Sequence, residues 1–163
     1  MPGVVQPNQP IQRNSVMKTK KVKLKSLPAI KRRIFKLVSL ICRERAGNIC
    51  ECCHQPKGYL LNGKPQRMEC HHIFSRSIKN SPMKFDLNNL ICLCTSCHKT
   101  GSVSAHKNPV VFAEFLRVNK PNQYQYILDH YLDTIDLDDR AVLEKIESDL
   151  LEKQKRLNSV VVV

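Results

Sequence analysis

The sequence predicts an α+β fold: a small core of short strands and one helix held by metal, with a leading helix before it and further helices after it. Three observations point there. Apolar residues recur at three- and four-residue intervals in residues 28–46 and again from Pro109 onward, the spacing of amphipathic helices. The stretch between them is divided by turn signals into segments of strand length. Two C-x-x-C pairs, Cys50/Cys53 and Cys94/Cys97, bracket that stretch.

A length of 163 residues suits one domain with tails. The hydrophobic content of 42% supports a folded core, but no Trp and 6% aromatics make it a modest one, the situation in which a metal staple helps. A net charge of +13 and a pI near 9.6 call for a polyanionic partner, nucleic acid before an acidic membrane surface. The charge is uneven. Residues 1–45 carry twelve Lys/Arg against the single acid Glu44, whereas Asp129 to Glu152 holds nine acids against Arg140 and Lys145. No stretch approaches the roughly 18 apolar residues that cross a bilayer, so no membrane role is expected. The start, MPGVVQPNQP, lacks the charged and apolar regions of a secretory signal. Eight cysteines in that setting read as reduced thiols and metal ligands, and the expected location is cytoplasmic.

In chain order, residues 1–27 lack apolar periodicity and are expected to form a disordered basic arm that adds phosphate contacts without reading sequence. Residues 28–46 predict a helix: Pro28 suits its first turn, and Gly47 suits its end. Ile30, Ile34, Leu37, Val38, Ile41 and Cys42 form its apolar stripe. Tyr59–Leu61 and Arg67–Ile73 predict two strands, with Asn62-Gly63 a hairpin signal between them. Asn89–Cys94 reads as a return segment, and Thr95 as a cap for a helix that Gly101 interrupts. Helices follow over Pro109–Val118, Pro121–Leu132 and about 139–157. The apolar stripe of the last one fits packing within the chain better than a dimer seam. A homodimer, or a packaging or recombination partner on this acidic helix, stays open.

The two C-x-x-C pairs supply the four sulfurs that structural Zn²⁺ prefers. Cys52 and Cys92 are alternative ligands, but the spacing favours Cys50, Cys53, Cys94 and Cys97. Such a closed shell leaves no room for the histidines, four of which (His71, His72, His98 and His106) crowd between Glu69 and His106. They imply a second centre. Adjacent side chains on a strand point to opposite faces, so one of His71 and His72 binds metal while the other accepts a proton. His98, about 100° round a helix from Cys97, faces away from the first centre. His106 reads equally as a further ligand, a phosphate contact or a surface residue. Arg76, Lys79 and Lys84 lie in the intervening loop as phosphate contacts.

At His71-His72-Ile73, Asn89 and His98 the chain resembles the HNH endonuclease family, whose ββα-metal fold carries a histidine pair or Asp-His on its first strand. An asparagine then stands at the turn into the second strand and a histidine on the helix. The nine positions from Asn89 to His98 fit that pattern. The cysteine pairs look like the zinc-stapled branch of phages and bacteria, and His106-Lys-Asn-Pro109 with Phe112-Ala-Glu-Phe115 looks like phage-encoded members. The resemblance covers residues 40–116. It divides the chain into an arm (1–27), a nuclease domain with its leading helix (28–120) and a helical extension (121–163). It implies hydrolysis of DNA phosphodiester bonds to 5′-phosphate and 3′-hydroxyl ends. His72 would be the general base, His71 and His98 the ligands of a catalytic metal, and Asn89 the residue that orients the His72 ring. Many members have Asp where this chain has His71, so Mn²⁺, Ni²⁺ or Zn²⁺ is expected to compete with Mg²⁺. The rival reading is a zinc-ribbon protein that holds nucleic acid without cutting it.

Overall fold

The computed structural model describes residues 24–160. The basic arm expected over residues 1–27 falls, up to residue 23, outside them. The fold is α+β, with small sheets among helices.

Helix α1 spans Leu27–Arg45, with Pro28 in its first turn. All six residues of its apolar stripe are buried, Ile34 and Cys42 completely. At about 1.5–3 kcal/mol per buried aliphatic side chain, this stripe outweighs any helix propensity in holding α1 down. Gly47 follows at φ +60°, a conformation that costs a residue without Cβ nothing.

Two hairpins follow. Asn62 and Gly63, at φ +52° and +73°, form a two-residue turn that pairs only β1 (Leu60–Leu61) with β2 (Lys64–Pro65). The second predicted strand therefore does not pair with the first. Instead, β3 (Met68–His72) runs antiparallel to β4 (Leu90–Cys94), with Cys70 opposite Cys92 and His72 opposite Leu90. Every residue of β4 is buried, because α1 covers one face of this small sheet and the cysteine-bearing turns and α2 cover the other. The chain then makes a single wide turn, Ser96–Thr100, closed by the Gly101 amide donating to the Ser96 carbonyl at 2.8 Å. Thr95 does not cap it. Its backbone is already helical and its side chain makes no capping bond.

Helices α2 (Pro109–Asn119) and α3 (Pro121–His130) pack on each other, and α4 (Arg140–Val160) lies along α1. Leu143 (0% exposed) and Leu150 of α4 join the main core, so its stripe is spent inside the chain. Lys31 pairs with Asp138 at 2.7 Å and Arg33 with Glu147, which joins the basic helix to the acidic segment. Among the described residues no helix is long and apolar enough to cross a membrane.

Candidate active site and metal centres

The first centre is built by two turns facing one another. Cys50 and Cys53 sit in the tight turn after α1, where the His54 amide donates to the Cys50 carbonyl at 2.8 Å. His54 itself takes φ +57° as an exposed turn residue. Cys94 ends β4 and Cys97 lies in the wide turn beyond it. The four sulfurs fall within 4.8 Å of one another. Cys53 and Cys94 are 3.8 Å apart, the edge of a tetrahedron whose metal–sulfur bonds are about 2.3 Å. The Cys97 amide donates to the Cys94 sulfur at 3.4 Å, and the Tyr59 hydroxyl lies 3.3 Å from the same sulfur. Contact with Cys97, then burial, pushes the Cys50 thiol up to about 12, and burial raises Cys53 as well. Four sulfurs this close stay protonated unless a cation displaces their protons, so the donor set fits a thiophilic dication. Cys52 and Cys92 lie outside this group of four.

The second group is His71, His98 and His106, whose ligand nitrogens also lie within 4.8 Å of one another. The strand alternation holds. His72 points toward α1, where the Phe35 ring meets it edge-on, and His71 points the other way, onto His98, His106 and the Phe112 ring of α2. His71 and His98, each 9% exposed, form the floor, and the exposed His106 stands over them. The Ala105 and His106 amides donate to the Cys97 and His98 carbonyls, at 3.0 and 3.1 Å, so the turn carrying one metal group also fixes the other. The Nε2 atoms of His98 and His106 are 3.0 Å apart, the spacing of adjacent ligands about 2.1 Å from one ion.

Glu69, which the sequence reading did not single out, determines what His98 can do. Its carboxylate accepts from His98 Nδ1 and pairs with Lys99 at 2.7 Å. The proton is thereby kept on Nδ1, and the Nε2 lone pair faces His71 and His106, the arrangement usual for metal-bound imidazole. Burial opposes ionisation of Glu69, but contacts with Lys99 and His98 hold it below the usual carboxylate range. Burial and the neighbouring rings push His71 down to about 3, and burial lowers His98 against the pull of Glu69. Both rings are neutral at physiological pH, the form in which imidazole can bind a metal. The signal for Glu69 was present: two positions before His71 on a strand, it shares that residue's face.

His72 has a different tether. Its Nε2 lies 3.1 Å from the Lys84 carbonyl, which only accepts. The neutral ring therefore carries its proton on Nε2 and leaves Nδ1 free to take one. Burial first, then the nearby Arg76 charge, lowers its pKa. The Asn89 side chain makes no hydrogen bond to the His72 ring, contrary to the role carried over from the family. Completely buried, it donates to the Phe74 and Met83 carbonyls at 2.9 Å each and accepts from the Phe74 amide at 2.6 Å. It acts one step back, on the loop that brings the Lys84 carbonyl to His72. Asn89→Ala would leave three backbone groups unpartnered at about 1–3 kcal/mol each. A loss of several kcal/mol is therefore expected in denaturant unfolding, and a loss under ~1 kcal/mol would contradict this role.

One cleft of about 610 Å³ is lined by His71, His72, His98 and His106 together with Arg76 and Cys70. Arg76 lies over the Phe35 ring, 5.7 Å from its centre. Lys79 and Lys84 are placed differently: with Lys31 they lie near Asp138, and all three help hold its carboxylate below the usual range. Of the three loop cations, Arg76 alone lines the cleft. Comparison of the chain with protein-family models, curated proteins and solved structures finds no match in any of the three.

Proposed function

We propose that the chain is a metal-dependent endonuclease of the HNH type, hydrolysing DNA phosphodiester bonds in the histidine cleft, with zinc in the four-cysteine centre as a structural staple. One observation carries this reading: His72, tethered through Nε2 to the Lys84 carbonyl, and the three clustered histidines His71, His98 and His106 line one cleft, His71 and His72 from opposite faces of one strand. A protein that only binds nucleic acid has no use for the combination.

In this reading water enters beside His72, whose Nδ1 takes its proton as the oxygen attacks phosphorus in line. The imidazolium formed keeps its Nε2–H on the Lys84 carbonyl, which holds the ring in place and stabilises its new charge. Arg76, at the cleft edge, neutralises a phosphate oxygen. His71, His98 and His106 would hold a divalent ion, which supplies positive charge to the transition state and supports the leaving oxygen. Three imidazoles without a carboxylate form a softer set than Mg²⁺ prefers, so Mn²⁺, Ni²⁺ or Zn²⁺ should serve at least as well.

The test is incubation of supercoiled plasmid with zinc-replete protein and Mg²⁺, Mn²⁺ or Ni²⁺. Nicked circles with 5′-phosphate and 3′-hydroxyl ends are expected in at least one metal. Binding without nicking in all of them would favour the zinc-ribbon binder.

A further inference from the structure

The cations of α1 are not used alike. Lys31 and Arg33 are spent on Asp138 and Glu147 of the acidic segment, and Arg45 on the Leu87 and Leu90 carbonyls. Among the described residues, Arg32, Lys36, Arg43 and Arg76 have no acid in ion-pair contact. At 100° per residue, Arg32, Lys36 and Arg43 fall within about 40° of the helix circumference, in a stripe about 16 Å long. One flank of that stripe, through Phe35 and Ser39, lies toward the cleft, and on the other flank Lys36 lines a groove with Arg33, Glu147 and Leu151 of α4. Phe35, beside it, meets His72 at 6.3 Å and carries Arg76 on its ring. Arg43 holds the Ser39 hydroxyl at 2.7 Å, and Ser39 lies beside the Cys70 thiol in the cleft wall.

A helix that pairs the cations flanking a stripe and leaves those within it without an acid is complementary to a chain of negative charges. We propose that Arg32, Lys36 and Arg43 of α1, continued by Arg76, form the track along which a nucleic-acid backbone runs into the histidine cleft. At about 3.4 Å of rise per nucleotide the stripe spans about five nucleotides of one strand. Contacts of this kind hold backbone without reading bases, so the track contributes affinity and register and leaves sequence unread. The inference rests on the nuclease reading for its substrate, but α1 lies mostly outside the segment that resembles the nuclease family.

The experiment measures binding of a fluorescent DNA duplex over a salt series. It compares the full chain, an Arg32→Gln/Lys36→Gln/Arg43→Gln variant, and a Lys145→Gln/Lys153→Gln/Lys155→Gln control that loses the same charge from α4. The α1 variant is expected to raise Kd at least about 10-fold and to flatten the salt slope by about 2 to 3, nearly one per lost phosphate contact. Its zinc content and Tm should match wild type, and the control should do much less. Equal losses in both triples would reduce the effect to net charge and overturn the track, as would an unchanged Kd in the α1 variant. Tighter wild-type binding to phosphatidylserine vesicles than to duplex, lost in the α1 variant, would assign the stripe to a lipid surface and overturn it too. The two readings fail separately. A protein that nicks but keeps its affinity without the stripe overturns the track alone. One that never nicks yet loses affinity with the stripe overturns the nuclease alone.

Discussion

His72→Ala is expected to slow cleavage by about 10²–10⁴-fold, the usual contribution of a positioned general base, with DNA affinity and both metal contents unchanged. The separation of effects follows from the strand. His72 faces α1 and the metal group faces away from it, so truncating one imidazole leaves the other three in place. The pH profile of kcat/KM gives a second readout. A protonated His72 cannot accept a proton, so the rate should rise with pH through the folded pKa. Burial, then Arg76, sets that pKa below the ordinary value of about 6.5. The ascending limb should therefore lie on the acid side of neutrality, with a plateau by pH 7. Arg76→Gln should move the midpoint up by removing a nearby positive charge. A variant at position 72 that cuts like wild type would remove the base from the account.

The cysteine centre should produce the largest effect on stability. Replacing Cys50, Cys53, Cys94 or Cys97 with serine leaves three sulfurs for an ion that prefers four. Structural zinc sites are worth roughly 10–16 kcal/mol of apparent binding energy. A small domain has only about 5–15 kcal/mol of stability in total. Losing much of the first term is therefore enough to unfold most of the chain near room temperature. Each variant should lose bound zinc and its cooperative melting transition, and a strong chelator should do the same to wild type. The centre ties the turn after α1 to the end of β4 and fixes the wide turn that carries His98. Histidine geometry should therefore be lost with the zinc. Four variants that keep full zinc and melt like wild type would show that the sulfurs hold no ion. Cys52→Ser, outside the group of four, is the matched control.

What could be read from the sequence was whatever depends on a local period. The stripe of α1 follows from a 3.6-residue repeat, and its six residues are the ones buried. The opposite orientations of His71 and His72 follow from the two-residue repeat of a strand, and C-x-x-C spacing is set by a single turn. What depends on the path of a loop was not legible. Asn89 has four hydrogen-bonding valences, and nothing local says whether they go to an imidazole or to the Phe74 and Met83 backbone. Arg76 and Lys84 are eight residues apart in one polar loop, yet one side chain lines the cleft while the other residue contributes a carbonyl to His72. Asn62-Gly63 was a sound turn signal. The strands it joins, two residues each and exposed, are too short for their partners to be told from sequence. His106 comes eight residues after His98, about 12 Å further along a regular helix, and reaches it because the chain folds back after Gly101.

In the proposed function two metal centres have separate work, four cysteines for the fold and three histidines for cutting. The most direct measurement determines metal content and plasmid nicking together, on wild type and on single alanine variants at His71, His98 and His106. Wild type carrying a single zinc, held by the four cysteines, is expected to be folded and slow. Added Mn²⁺ or Ni²⁺ should restore nicking, and each histidine variant should lose the second ion and the nicking while keeping one zinc and a wild-type Tm. If all three variants nick like wild type, or shed the cysteine-bound zinc together with the second ion, the two-centre account is contradicted.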